Sequence, residues 1–191
     1  MKLKNLKTKF LGKNCIYFNE IDSTQSEIWR LVNKKIPNGT LVMADIQTNG
    51  KGTHGRIWHT DEENNIAFSF YVETNCNINK LDGITIEIAK IIVDILMKKY
   101  GIQLSIKEPN DIVYNGKKIG GILTESKVQS ELVKFLVIGI GLNTNKTIFS
   151  DDIKDIATSI KREFGVEIDR DDFICEFCNR FEKLLNYRVA I

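Results

Sequence analysis

An excess of charge of either sign is missing from this sequence. Lysine and arginine total 27 against 25 aspartates and glutamates, a net charge of +2. A nucleic-acid binder ordinarily carries a strong basic excess, so that class is set aside. Long apolar runs are missing as well. None approaches the roughly 18 residues that a membrane span needs. The N-terminal stretch MKLKNLKTKFLGKN is basic, but no apolar region follows it, which excludes a secretory signal. The expected protein is soluble and cytoplasmic. Histidine is scarce: His54 and His59 stand alone, without the companions a zinc site requires. No Ser–His or Cys–His nucleophile is apparent either.

The four cysteines, Cys15, Cys76, Cys175 and Cys178, are irregularly spaced. Nothing points to an oxidising compartment, so free thiols are expected. Cys175-x-x-Cys178 falls inside an amphipathic run with Phe173, Ile174, Phe177, Phe181, Leu184 and Leu185, and no second pair exists. That pattern reads as a helix rather than a metal or redox site. Repeats and low-complexity linkers are also absent. What is present is 42% hydrophobic residues in 191, enough for one core. A single domain over residues 1–191 is the expectation.

The order of elements follows from periodicity. Residues 15–18 read as a short strand. Thr24 and Glu27 have capping-box spacing ahead of Ile28, Leu31 and Val32, so a helix starts there. Residues 39–46 form a buried strand and 66–72 an alternating one. Ile84, Ile88, Ile91, Ile92, Ile95 and Leu96 mark a helix over about 80–100. A strand at 104–107 ends at Pro109. Residues 112–114 and 117–124 flank Asn115-Gly116, the dipeptide of a type I′ hairpin. Residues 132–142 supply a strand to pair with it, and helices are expected near 151–161 and 169–187. Without regular βαβ alternation, this order predicts an α+β fold with a mixed, largely antiparallel sheet packed by helices.

The stretch QTNGKGTHGRIW, Gln47 to Trp58, has G-x-G-x-x-G spacing. A dinucleotide fingerprint needs strand, glycine loop and helix, because the helix N-terminus holds the pyrophosphate. Here residues 56–65 lack helical periodicity and read as an extended loop. Walker A spacing fails too. Gly50, Gly52 and Gly55 still let backbone amides approach a ligand, with Lys51, His54 and Arg56 between them and Trp58 at the end. An anion-binding concavity and a mobile surface loop with solvated charges fit this composition equally.

A second constellation is Lys107-Glu108-Pro109-Asn110-Asp111, followed by Lys117, Lys118, Gly120 and Gly121. An aspartate beside lysines can orient an ammonium or hold a divalent cation. Paired glycines in a strand indicate close approach of a ligand or backbone. The bland reading is a hairpin with an exposed basic turn. Gly139-Ile-Gly141-Leu-Asn143 again places glycines in a strand that ends in a polar residue.

Together these residues resemble the biotin–protein ligases, over about residues 16–187. Gly50-Lys-Gly-Thr-His-Gly-Arg-Ile-Trp58 resembles that family's G-R-G-R-x-G-R-x-W. Lys107-Glu-Pro-Asn-Asp111 and Lys118-Ile-Gly-Gly-Ile-Leu123 resemble its K-W-P-N-D and K-[LI]-x-G-I-L. Asp22-Ser23-Thr24, Gly139-Ile-Gly141-Leu-Asn143 and Ala157-Thr-Ser159 are similar to its D-S-T, G-x-G-x-N and A-T-S. The resemblance implies a fold like that of the class II aminoacyl-tRNA synthetases. It also implies biotin and ATP as substrates, with Mg²⁺.

By the same resemblance, Ser23, Thr24 and Gln47 would bond the biotin ring system. Gly50, Gly52, Thr53, Gly120 and Gly121 would line its site, and Lys51 and Lys118 would meet the carboxylate and the α-phosphate. Arg56, Trp58, Lys107 and Asn143 would hold the nucleotide, with Asn110 and Asp111 at the phosphate and metal region. The stretch 49–63 would fold over the adenylate. The implied partner is a biotin carboxyl carrier protein or domain, and the implied state a monomer or homodimer. Only some 15 residues precede the first strand. An N-terminal DNA-binding domain is therefore not expected, nor is a C-terminal β-barrel domain, since the chain stops at Ile191. Three positions depart from the pattern: Lys51 and Thr53 stand where arginines are usual, and Glu108 where a tryptophan is. A lipoate or octanoate ligase or transferase, and a biotin or adenylate sensor of weakened catalysis, are the alternatives.

Overall fold

The computed structural model describes residues 3–60 and 65–189. Its strands are β1 (Cys15–Ile21), β2 (Leu41–Lys51), β3 (Ile57–Thr60), β4 (Ile66–Asn77), β5 (Ser105–Lys107), β6 (Asp111–Tyr114), β7 (Lys117–Gln129) and β8 (Leu132–Leu142). Its helices are α1 (Thr24–Val32), α2 (Ile84–Tyr100), α3 (Ile160–Phe164) and α4 (Arg170–Val189). One mixed sheet runs β1-β2-β4-β8-β7-β6-β5, with β3 paired to β2. Every pairing is antiparallel except β1 with β2, which α1 joins as a βαβ unit. The largely antiparallel expectation holds, with that one parallel pair added.

Period-two patterning sorts side chains between the two faces of the sheet. On β8, Leu136, Ile138, Ile140 and Leu142 enter the larger core. Val137 enters a smaller one with Ile28, Val42 and Tyr71. α2 and α4 cover the first face. Phe68 and Phe70 meet Phe177 there, with Phe70 and Phe177 stacked at 6.1 Å between centroids. Truncating a fully buried phenylalanine such as Phe177 to alanine costs about 3–5 kcal/mol. α4 also ties down the N-terminal segment. The buried Glu182 carboxylate accepts from the backbone N–H of Lys9 at 2.6 Å, Phe10 at 3.0 Å and Leu11 at 2.9 Å.

Local chemistry sets the turns. Asn115 and Gly116 both have positive φ, 47° and 80°, as a type I′ turn demands. The four cysteines are free, and Cys175 and Cys178 lie in α4. Desolvation by burial pushes the Cys178 thiol well above its ordinary pKa.

Two expectations are corrected. The helix near 151–161 is a series of turns, and α3 begins only at Ile160. The backbone there is drawn off into a bridge with β7: Lys118 N–H donates to the Ile156 carbonyl at 2.8 Å and Thr158 N–H to the Lys118 carbonyl at 2.9 Å. The cap of α1 is Ser23 rather than Thr24, since its hydroxyl accepts from Ser26 N–H at 3.3 Å. Glu27 accepts from Arg30 instead.

Candidate active site

Sheet register builds a trough on the α1 face. Ser69 of β4, Gly139 of β8 and Leu123 of β7 lie in one row, and Ala67, Gly141 and Gly121 in the next. The two glycines of β8 leave backbone as the floor, and side chains from elsewhere close over them. A Cβ on Gly139 would lie 2.7 Å from Gln25 Oε1 and 3.3 Å from Ser69 Oγ. One on Gly141 would lie 2.6 Å from Trp58 Nε1. Only glycine admits these neighbours.

The end of the trough below α1 is neutral and polar. Thr24 donates from its N–H at 2.9 Å and its hydroxyl at 3.1 Å to Gln47 Oε1. The Thr24 and Ser69 hydroxyls are 2.9 Å apart, and Gln47 Nε2 donates to Thr60 Oγ1 at 3.0 Å. Accepting from Thr24 fixes which end of the Gln47 amide is oxygen. These groups form one chain from helix start to sheet.

The other end is cationic, and two distant segments supply it. β2 bulges between Gln47 and Gly50, then pairs Gly50 with Trp58 and Lys51 with Ile57. The glycine-rich stretch is therefore a β-hairpin flap, not an open loop. Its tip is a 3₁₀ turn, Thr53–Gly55, with positive φ at His54 and Gly55. Gly52 N–H donates to the Arg56 carbonyl at 2.8 Å to close it. Of the expected loop over 56–65, residues 57–60 are β3 and 61–64 lie outside the described residues.

Opposite the flap, the bridge to Ala157 anchors Lys118. Its ammonium lies 2.6 Å from Asp111 Oδ1 and 5.6 Å from the centroid of the Trp58 ring. The contact with Asp111 is an ion pair and not an aligned hydrogen bond. The distance is short, but Oδ1, buried, has no donor in hydrogen-bonding geometry.

Two clefts meet at Trp58. The first, about 420 Å³ and open to solvent, is lined by Thr24, Gln47, Lys51, Asn110, Lys118 and Gly121. The second, about 670 Å³, is lined by Arg56, His59, Asn143, Ile153, Ile156 and Ala157. Gly52, Thr53, Trp58 and Lys118 border both. Lys51 and Lys118 thus share one cavity, and Lys118 stands at the junction.

Other expected residues stand back from the clefts, and all but Arg56 line neither. Ser23 is buried as the helix cap. Gly50 packs on the Trp58 carbonyl and Gly120 on Leu142. Lys107 is exposed on β5, the outermost strand. Asp111 lines neither cleft and is ion-paired with Lys118. Arg56 turns back on its own flap, donating from Nη2 to Thr53 Oγ1 at 2.8 Å. Glu108 lies in the β5–β6 turn, outside both clefts. Gln25, Ser69, Ile153 and Ile156 were not anticipated. Ser69 was the legible one, a hydroxyl inside the otherwise apolar run Ile66-Ala-Phe-Ser-Phe70.

Residues 17–143 match the family model described as the biotin/lipoate A/B protein ligase family. The chain belongs to that family. The "Bifunctional ligase/repressor BirA" of Bacillus subtilis is 41% identical over 180 residues, covering 93% of this chain and 55% of that protein. "Biotin--protein ligase 2" of Arabidopsis thaliana is 29% identical, covering 84% and 52%. The chain thus spans about half the length of these relatives. Among solved structures, a biotin protein ligase from Aquifex aeolicus in complex with biotin and ATP superposes with a TM-score of 0.76 at 30% identity, over 92% of this chain and 72% of that one. The biotin/lipoate ligase match takes in Thr24, Gln47, Lys51, Trp58, Asp111, Lys118 and Asn143. Ile153 and Ile156 of the second cleft lie beyond it.

Proposed function

We propose that this chain carries the catalytic unit of a biotin–protein ligase. It activates biotin with ATP to biotinyl-5′-AMP and passes biotin to a lysine of a biotin carboxyl carrier domain. The observation that carries this reading is the sharing of one cleft by Lys51 and Lys118, with a neutral polar chain at the far end. A ligand with a hydrogen-bonding ring at one end and a carboxylate at the other matches that polarity.

The chemistry needs no enzyme nucleophile. A carboxylate oxygen of biotin attacks the α-phosphorus of ATP, and pyrophosphate leaves. Two anions must meet, so the Lys51 and Lys118 ammoniums offset their repulsion and stabilise the charge that builds in the transition state. Trp58, bordering both clefts, sits where the acid meets the nucleotide, and the isoleucines of the second cleft suit a purine face. Once the mixed anhydride forms, the flap excludes water from it. The acceptor lysine then attacks the acyl carbon as the free amine and AMP departs.

Asp111 is the carboxylate within reach of the phosphates, paired with Lys118. Among the described residues no three His, Cys, Asp or Glu side chains gather as a metal site. Mg²⁺ usually takes one or two carboxylates together with substrate phosphates, so it would arrive with ATP beside Asp111. No described helix is long and apolar enough to cross a membrane. ATP and a carrier domain as substrates support a cytoplasmic site of action.

ATP–pyrophosphate exchange tests the proposal. Exchange that depends on added biotin, and not on lipoate, is the expected result. Lipoate-dependent exchange moves the assignment to a lipoate ligase. Biotin binding without exchange moves it to a sensor.

A further inference from the structure

Between β8 and α3 the chain makes a loop that is tied at its neck. Ile160 N–H donates to the Asn143 carbonyl at 3.0 Å and Lys161 N–H to the Thr144 carbonyl at 2.8 Å. The Ser159 hydroxyl donates to the Lys146 carbonyl. Residues 147–158 lie beyond these ties. Compact surface loops whose ends meet in this way are frequently functional.

The loop reaches the candidate site twice. Ile153, Ile156 and Ala157 line the second cleft. Lys118 gives the loop both of its backbone groups. Its N–H donates to the Ile156 carbonyl at 2.8 Å, and its carbonyl accepts from Thr158 N–H at 2.9 Å. A displaced loop would therefore move one wall of the second cleft and the Lys118 backbone together.

One side chain holds the loop down. Across residues 147–156 Phe149 alone is buried, at 8% exposure, while Ile148 and Ile156 are exposed. The other buried aromatics among the described residues belong to one of the two apolar cores, and Phe149 belongs to neither. Its ring meets the neck instead. Lys146 Nζ lies over it at 5.3 Å from the centroid and Arg162 Cζ at 5.8 Å. A ring face attracts a cation more strongly where water is excluded, and Lys146 is buried. Phe149 itself lines neither cleft.

We propose that Phe149 is a positioning residue for adenylation. By pinning the loop to its own neck, it holds the wall of the second cleft and, through Ile156 and Thr158, the backbone of Lys118. The inference rests on the ligase reading, in which the second cleft takes the nucleotide and Lys118 meets the α-phosphate. Without the ring the loop is in place for only a fraction of the time, and the apparent affinity for nucleotide falls by that fraction. A lysine shifted from its productive position also loses rate, because the reacting groups are no longer aligned.

The test compares the whole chain as parent, Phe149→Ala, Phe149→Leu, Lys118→Ala and the double variant Phe149→Ala with Lys118→Ala. Biotin-dependent ATP–pyrophosphate exchange is followed over a range of ATP, with calorimetric titration of biotin alone and urea unfolding alongside. Phe149→Ala should raise the KM for ATP about tenfold and lower kcat about tenfold. Biotin affinity without ATP should stay within about threefold, because no residue of the loop lines the first cleft. The unfolding midpoint should barely move, since Phe149 lies outside both cores. Phe149→Leu, which keeps bulk but no ring face, should show the same pattern at smaller size, and it carries the comparison if Phe149→Ala does not fold. In the Lys118→Ala background, Phe149→Ala should still raise the KM for ATP but lower kcat no further. A merely structural role would lower biotin affinity and the unfolding midpoint together with exchange. That outcome, an unchanged KM for ATP, or a full further loss of kcat in the double variant overturns the assignment while the ligase reading stands. A parent chain without biotin-dependent exchange overturns both.

Discussion

Lys51, at the end of β2, and Lys118, at the start of β7, line the same cleft although β4 and β8 lie between their strands. The flap accounts for this. Pairing of Lys51 with Ile57 makes it part of the β2–β3 hairpin, whose tip borders the cleft. Lys118 is fixed instead from the far side, by the bridge to Ala157. Two ammoniums on separately anchored segments can be probed one at a time.

Lys118→Ala should lower biotin-dependent ATP–pyrophosphate exchange by about 100-fold or more, the scale of a lost transition-state charge contact. It also leaves the Asp111 carboxylate without its ion-pair partner. A loss of about 1–3 kcal/mol in urea unfolding should accompany the kinetic defect. The double variant Lys118→Ala with Asp111→Asn should regain stability but not exchange. Recovery of exchange in that variant would rule out a direct role for the lysine.

Gly141→Ala places a methyl group where the Trp58 indole sits. The ring must move, and it borders both clefts. The KM for ATP should rise about tenfold or more, with a shift in tryptophan emission and little change in the unfolding midpoint. An unchanged emission maximum together with an unchanged KM would show that the ring is not held where the second cleft needs it.

Thr53→Arg should tighten the hold on the adenylate. Thr53 borders both clefts, and its hydroxyl now serves only to accept from Arg56. An arginine there adds a cation beside the α-phosphate and frees Arg56 from the flap. Dissociation of biotinyl-5′-AMP, followed by stopped-flow fluorescence, is expected to slow about tenfold, one charge-assisted hydrogen bond's worth. An unchanged rate counts against contact between the flap tip and the phosphate.

Acid stability gives a further check, at the residue before the α1 cap. Hydrogen bonds from Arg30 hold the Asp22 carboxyl down from 3.8 to about 2. Because the folded value is the lower one, the stabilisation is present above pH 4 and fades as pH falls toward 2. The pair is partly exposed, with the Asp22 side chain at 44%, so the effect is under about 1 kcal/mol. Asp22→Asn should cost that much in urea unfolding at pH 7 and only a small part of it at pH 2. A cost independent of pH would place the effect in packing, not in the ion pair.

Local patterns made much of this fold readable. Ile84 to Leu96 recur at the helical period because one face of α2 must be buried. Asn115-Gly116 marks a turn because few other residues accept positive φ twice. The glycine-rich flap misled, since Gly50 to Gly55 carry no alternation of apolar side chains. What makes it a hairpin is a backbone ladder to β3, which side chains do not report. Residues 151–161 misled in the opposite sense. Ile153, Ile156 and Ile160 keep helical spacing, yet Lys118 takes the hydrogen bonds a helix would use.

Motif order alone was enough to indicate the family, because the motif residues are fixed in type by their charge and in spacing by the turns that carry them. Sequence could also name Lys51, Trp58 and Lys118, since each sits inside such a motif. It had no means of placing Gln25 over Gly139, or Ser69 against Thr24. Those contacts arise where strands far apart in the chain come into register. Nor could it tell which end of the buried Gln25 amide is the nitrogen. That is decided by its donation to two acceptors from elsewhere in the chain, Glu125 Oε2 at 2.8 Å and the Val137 carbonyl at 3.1 Å, and so belongs to the folded molecule.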